Sequence, residues 1–150
     1  MLISKNCLVF AVDGANISVF RNVGTAFEPV LDLIEETSAP VPRSSELGKD
    51  KPGRSSQSAT VRKSAVEGSD LHQQAEDLLA RQAAQQLDSR SRNTKDGIVL
   101  VAAPRTLGMI RKHYKRETSE SLTAEIAKDF GPQDAESLAK MLAQYEKGSR

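Results

Sequence analysis

The sequence predicts an α/β fold in which a mixed five-stranded sheet is covered by helices. Three strand-like segments with short connections come first, a pattern typical of an antiparallel meander. An amphipathic helix then leads into a fully apolar strand, which indicates a crossover to a strand parallel with the first. The spatial order that joins these two halves is 3-2-1-4-5.

The first three strands follow from short apolar patterns separated by turns. Residues 7–12 are a continuous apolar run, typical of a central strand that is buried on both faces. The turn at residues 13–16 leads to a second strand, in which Ile17 and Val19 alternate with Ser18 and Phe20. A third strand is predicted over residues 27–34.

The second half of the chain predicts alternating helices and strands. Ser69 is a suitable N-cap for a helix over residues 70–88, residues 97–103 form an apolar strand, and Pro104 begins a short helix. Residues 124–127 predict a short edge strand, with a helix as the alternative, and residues 132–145 predict a final helix. The apolar positions at helical spacing in the long helix are Leu71, Ala75, Leu78, Leu79, Ala83 and Leu87.

A long basic loop is predicted at about residues 38–68, where prolines, glycines and serines replace any sustained period. Loops of this length inside a compact domain are usually functional or disordered. Residues 41–66 contain six basic and two acidic residues, which gives this segment a local charge of +4. We therefore predict one domain over residues 1–150 with a mobile basic loop, which either binds a ligand or is simply solvated.

Composition excludes several classes of function. The chain has 150 residues and a net charge of +1, so no global field attracts nucleic acid or membrane. A lone cysteine, Cys7, cannot form an internal disulfide and is expected to be a buried small hydrophobe. With two histidines, metal-ligand spacing is missing, and we expect no metal and no cofactor. Without a signal-peptide pattern or an apolar run of about 18 residues, we expect a cytoplasmic protein with no membrane span.

The first group of candidate binding residues lies in the basic loop. Arginine offers a planar fork for phosphate, and a glycine lets the backbone approach a ligand closely. The loop is no phosphate-binding consensus, and it contains no residue that we assign to catalysis. The candidates are Lys49, Asp50, Lys51, Pro52, Gly53, Arg54, Ser55 and Gln57.

The second group of candidates is predicted at one edge of the sheet. Asp13 and Gly14 follow the first strand, Arg105 follows the fourth, and His72 begins the long helix. Because binding sites in open α/β sheets form beyond the carboxyl ends of parallel strands, we expect Asp13 and Arg105 at the same edge. The alternatives are a turn-capping aspartate, a structural salt bridge and a structural histidine. The basic stretch at residues 111–116, with one tyrosine, suggests either RNA binding or a solvated helix face.

Several motifs resemble the bacterial host-attachment protein family. They are Val12-Asp13-Gly14-Ala15, Asp50-Lys51-Pro52-Gly53-Arg54-Ser55, His72 with Ala75-Glu76, the stretch from Leu100 to Gly108, and Glu125-Ile126-Ala127-Lys128-Asp129. That family is similar to the middle domain of archaeal and eukaryotic peptide-chain release factors, which resembles ribonuclease H. The resemblance implies that this chain has the ribonuclease H-like fold and descends from a protein that acted on the ribosome or tRNA. The Gly-Gly-Gln of release factors is absent, since Gly53 follows a proline and Gln57 lies four residues later.

Three functions remain open on the sequence. The first is a non-catalytic binding module with a protein partner, as the host-attachment resemblance implies. The second is a release-factor-like protein that binds tRNA or stalled ribosomes through the basic loop. The third is a hydrolase of another ester or phosphoester.

Overall fold

The computed structural model describes residues 3–38, 58–128 and 134–145, and within residues 58–72 it describes only the helical backbone. These residues form, in chain order, β1 (Leu8–Val12), β2 (Asn16–Asn22), β3 (Leu31–Ser38), α1 (Ser58–Ser91), β4 (Ile98–Ala102), α2 (Pro104–Arg111), α3 (Arg116–Ser121), β5 (Leu122–Ala127) and α4 (Ala135–Gln144).

The sheet has the predicted order, β3-β2-β1-β4-β5. β1 pairs antiparallel with β2, and β2 pairs antiparallel with β3. β1 also pairs parallel with β4, and β4 pairs parallel with β5. In the β1–β4 register Val12 lies opposite Ala102, so both strands end at the same edge of the sheet.

Helices cover both faces of this sheet, and each face has its own core. On the first face, Leu79 and Leu87 of α1 and Leu107 of α2 pack against side chains such as Phe10 and Leu100. On the second face, Leu138 and Leu142 of α4 pack against Val9, Val99 and Ile126. β1 and β4 therefore supply residues to both cores, which explains why their sequences are apolar throughout.

β3 begins four residues later than the sequence predicts, at Leu31 rather than at residue 27. A turn held by the side chain of Asn22 occupies the intervening residues. Asn22 is fully buried; its Nδ2 donates to the carbonyl oxygens of Ile3, Ser4 and Thr25, and its Oδ1 accepts from Gly24 N and Val30 N, both at 3.0 Å. These bonds fix the connection between β2 and β3.

α1 is longer than predicted, because its helical backbone begins at Ser58 and passes through Gly68 and Ser69. The prediction that Ser69 is the N-cap is therefore wrong, and the last part of the predicted loop belongs to α1. Leu78 also departs from the prediction, because it is exposed rather than packed in the core. The rest of the predicted loop, residues 39–57, lies outside the described residues.

α3 is a helix that the sequence analysis did not predict. Its sequence is wholly polar, but Thr118 is buried and bonds to Asp88 of α1. In the part of the chain that the structure describes, no helix is both long and apolar enough to cross a membrane.

Candidate nucleic-acid interface

The predicted site lies at the sheet edge where the parallel strands β1, β4 and β5 end. Val12 and Ala102 are paired as the last residues of β1 and β4, so Asp13 and Arg105 leave the sheet at the same edge. This is where open α/β sheets place their ligands. No contact joins the two side chains, however, and each has a partner of its own.

Asp13 closes the turn between β1 and β2. Its Oδ1 accepts hydrogen bonds from the backbone N of Ala15 at 2.7 Å and of Asn16 at 2.6 Å. The backbone N of Asp13 donates to the Asn16 carbonyl at 3.0 Å. This is the turn-capping role that short acidic side chains commonly have. The adjacent Gly14 is exposed, with open space around its Cα.

Arg105 begins α2 and pairs with α1. Its Nη2 lies 3.3 Å from Oε2 of Glu76, and 71% of its side chain is exposed. Such a pair adds little to stability, so the guanidinium loses little if it turns to another anion. His72 lies one helical turn before Glu76 on the backbone of α1, and its side chain is outside the described residues.

A groove of about 690 Å³ runs between α1 and α2 next to Arg105. We call it the α1–α2 groove. Gln73 and Gln74 line it from α1, and Arg105, Gly108 and Lys112 line it from α2 and the residue that follows. A Cβ added at Gly108 would meet no atom within 4 Å, so the helix backbone is open to a ligand at this point. Lys112 makes no ion pair with any described residue.

The Asp77 carboxylate lines this groove and contacts one side chain from α1 and one from the end of α2. One oxygen lies 3.1 Å from Arg81 Nη2 and the other 3.3 Å from His113 Nε2. The bond to His113 ties the end of α2 to α1. Sequence reasoning did not find Asp77, because its partner lies 36 residues away and no motif surrounds either residue.

The basic stretch at residues 111–116 is not a single patch. Nε and Nη2 of Arg111 bond to Glu125 Oε1 at 3.0 and 2.9 Å, while Arg116 pairs with Glu120 on α3. Lys112 alone of these residues lines the α1–α2 groove. The stretch therefore contributes one cation to the groove, while its two arginines form ion pairs and its histidine hydrogen-bonds to Asp77.

Tyr114, Glu125 and Arg111 form a lock between α2 and β5. The Tyr114 hydroxyl donates to Glu125 Oε2 at 2.6 Å, while Arg111 holds the other oxygen of the same carboxylate. Burial and the bond to Glu125 raise the pKa of Tyr114 to about 12. The bond to Glu125 also raises the pKa of Arg111. Tyr114 is thus a neutral donor at physiological pH and Arg111 a cation, and both hold α2 in place.

The described residues contain no cluster of three or more histidines, cysteines, aspartates or glutamates that could hold a metal ion. Cys7 is buried, as predicted, and burial, with the nearby Asp96 carboxylate, raises its pKa to about 11. A thiol with such a pKa is a poor nucleophile at neutral pH. The loop candidates Lys49, Asp50, Lys51, Pro52, Gly53, Arg54, Ser55 and Gln57 all lie outside the described residues.

Comparison with protein families shows which family this chain belongs to. The model of bacterial archaeo-eukaryotic release factor family 12 matches residues 6–142, which is nearly the whole chain. The chain belongs to this family. The match supports the release-factor part of the resemblance seen in the motifs, and it fits a mixed sheet of order 3-2-1-4-5. The host-attachment part of the resemblance is not confirmed. A search of curated proteins found no match.

One side of the α1–α2 groove lies shortly after the candidate residues of the predicted basic loop in the sequence. α1 begins at Ser58, directly after the last loop candidate, Gln57, and the groove is lined along α1 from Gln73. The loop candidates thus precede the α1 side of the groove in sequence, whereas the other side of the groove comes from residues 104–112.

Proposed function

We propose that this domain is a translation-associated module that binds tRNA or ribosomal RNA through the α1–α2 groove and the basic loop that precedes α1. The observation that carries the proposal is the match to a release-factor family over residues 6–142. The groove adds features that suit an RNA backbone, as its cations, amides and open helix surface are the groups that commonly contact phosphate and sugar.

Each side of the groove has a distinct part in the proposed binding. Arg105 and Lys112 bind phosphates, and the pairing of Arg105 with Glu76 is weak enough to be exchanged for one. Gln73 and Gln74, which are exposed, donate and accept hydrogen bonds at ribose or bases. Lys51 and Arg54 add further phosphate contacts from the loop.

The proposal does not include peptide release. The full sequence contains no Gly-Gly pair, so the Gly-Gly-Gln of release factors is absent.

The binding-module hypothesis, which came from the resemblance to host-attachment proteins, names a protein partner in place of RNA. The release-factor match favours the RNA ligand. Nothing in the site favours hydrolysis of another ester or phosphoester.

Sedimentation with ribosomes tests the proposal. We expect the protein to co-migrate with ribosomal particles at low salt and less at moderate salt, because each phosphate contact releases counterions. Arg105→Ala with Lys112→Ala should remove most of the bound fraction, and so should Lys51→Ala with Arg54→Ala. Arg92→Ala with Lys95→Ala is the matched control, because it removes two exposed positive charges from the opposite edge of the sheet.

The control decides between a site and a general charge effect. Equal losses in the Arg105/Lys112 and Arg92/Lys95 variants would show that only net charge matters and would remove the groove from the proposal. Migration as free protein at both salts would contradict RNA binding as a whole.

A further inference from the structure

A second groove lies on the other face of the sheet, between α4 and the connection from β2 to β3. We call it the α4 groove. Its volume is about 570 Å³, and its apolar lining includes Phe27, Val30, Leu31, Ala139 and Ala143. It is separate from the α1–α2 groove, because α4 packs on the second core and α1 and α2 on the first.

The apolar surface around this groove is unusually exposed. Phe27 and Val30, which line the groove, are 79% and 55% exposed, and Leu33, two residues after the lining residue Leu31, is 46% exposed. Together with Val23 they fall within eleven residues, and in the described part of the chain Leu78 is the only other large hydrophobic side chain exposed to this degree. Single exposed apolar side chains are common, but a concentration of them beside a groove marks an interaction surface.

The charges at the groove are mainly negative. Glu28 and Glu136 line it, and among the described residues of its lining Lys140 is the one cation, 3.5 Å from Glu136. Glu36 lies on the same face of β3 as Leu33, because their partners Ser18 and Phe20 share one face of β2. A complementary partner is therefore apolar and positively charged.

A second copy of this chain fits these charges poorly. A two-fold dimer places the same patch of one subunit against that of the other, so two linings of net negative charge would face each other. Juxtaposed like charges oppose association. A basic partner segment meets no such repulsion.

We propose that the α4 groove is a docking surface for a protein segment that carries apolar anchor residues next to lysine or arginine. Phe27, Val30 and Leu33 contact the apolar anchors, and the small side chains of Ala139 and Ala143 let the segment approach α4 closely. Glu28, Glu36 and Glu136 face its basic residues. This surface does not depend on RNA binding by the opposite face.

The experiment uses labelled synthetic peptides and fluorescence anisotropy on the full chain. The first peptide is an amphipathic helix with leucine on one face and lysine on the other, and the second has glutamate in place of every lysine. We expect the leucine–lysine peptide to bind. The double change Phe27→Ser with Leu33→Ser should weaken its affinity by about tenfold or more, as the loss of hot-spot residues does. Leu78→Ser is the control, since Leu78 is similarly exposed, at 42%, on α1.

Charge reversal gives the second arm. Glu28→Lys should weaken binding of the lysine peptide and strengthen binding of the glutamate peptide. It leaves the turn intact, because Glu28 bonds to Thr25 through its backbone N and carbonyl oxygen and not through its side chain. Absence of binding, or an equal effect of Leu78→Ser, would overturn the proposal. Concentration-dependent dimerisation that Phe27→Ser abolishes would assign the groove to a second copy and overturn it as well.

Discussion

At the scale of single residues, polar side chains that bridge distant parts of the chain decide how the site is held. Asn22 fixes the connection between β2 and β3, and Glu125 joins Tyr114 and Arg111 to β5. Asp13 was predicted to lie at the sheet edge from its position directly after an apolar strand. The sequence predicts a turn at Asn22 but not its bonds to Ile3 and Val30. It does not predict the bonds of Glu125 either, because the partners of Glu125 lie 11 and 14 residues away in the chain.

Asn22→Ala tests the first of these residues. The change leaves several backbone groups without a partner in a buried site, and each unsatisfied group costs about 1–3 kcal/mol. We therefore expect the free energy of unfolding, measured in urea, to fall by at least about 2 kcal/mol. Asn93→Ala, which removes one exposed side-chain bond to Ser89, is the control and should change stability much less. Similar effects of the two changes would contradict the role of Asn22.

Tyr114 gives a prediction about pH. Its pKa in the folded protein is raised to about 12, above the ordinary value of about 10 for the unfolded chain. The folded state thus holds the Tyr114 proton more tightly than the unfolded state does. The protonated Tyr114 therefore stabilises the fold fully below pH of about 10, and this stabilisation is lost as pH rises toward 12.

Ultraviolet absorbance of the phenolate checks this value. In a Tyr145→Phe variant, Tyr114 is the one remaining tyrosine, and its titration midpoint should lie near pH 12. Glu125→Gln in the same background should lower the midpoint, because the carboxylate no longer opposes the phenolate. A midpoint of about 10 before the Glu125 change would show that the lock does not form.

At the scale of elements, the sequence predicts those strands and helices whose positions follow from a clear pattern of apolar residues. β1 and β4 are apolar on both faces, so their burial, pairing and central position were predicted correctly. β3 is an edge strand with mostly exposed side chains, and its sequence has no clear alternation. The start of α1 was missed because Gly68 and Ser69 resemble a helix boundary, although the helix continues through them.

α3 was missed for a different reason, since its stabilising contact comes from another helix. Lys115, the N-cap residue, makes no side-chain cap bond. Instead Asp88 Oδ1 on α1 accepts from Lys115 N at 3.0 Å and from the Thr118 hydroxyl. A cap supplied from 27 residues away leaves no local pattern.

Asp88→Ala should therefore destabilise the protein by about 1–2 kcal/mol, the usual cost of losing a helix cap. Asp88→Asn keeps an acceptor oxygen and should lose less than half of that. Chemical denaturation of the three proteins measures both values. If the alanine variant were as stable as the unsubstituted protein, α3 would not depend on Asp88.

At the scale of the whole molecule, the sheet separates two surfaces with different chemistry. The face covered by α1 and α2 carries the α1–α2 groove with its cations and amides. The face covered by α4 carries the apolar and acidic α4 groove. The sequence predicted the edge that holds Asp13 and Arg105. It did not predict either groove, because both depend on how helices pack side by side.

The central claim is that the α1–α2 groove binds RNA, and Gly108 gives the most direct test because it lets the groove be filled without any change in charge. Gly108→Ala should preserve ribosome co-sedimentation and raise stability by about 0.5–1 kcal/mol, since space is open at Cβ and alanine favours helix. Gly108→Leu should keep the fold but lose most of the ribosome-bound fraction. A folded Gly108→Leu protein that co-sediments as well as Gly108→Ala would contradict the claim.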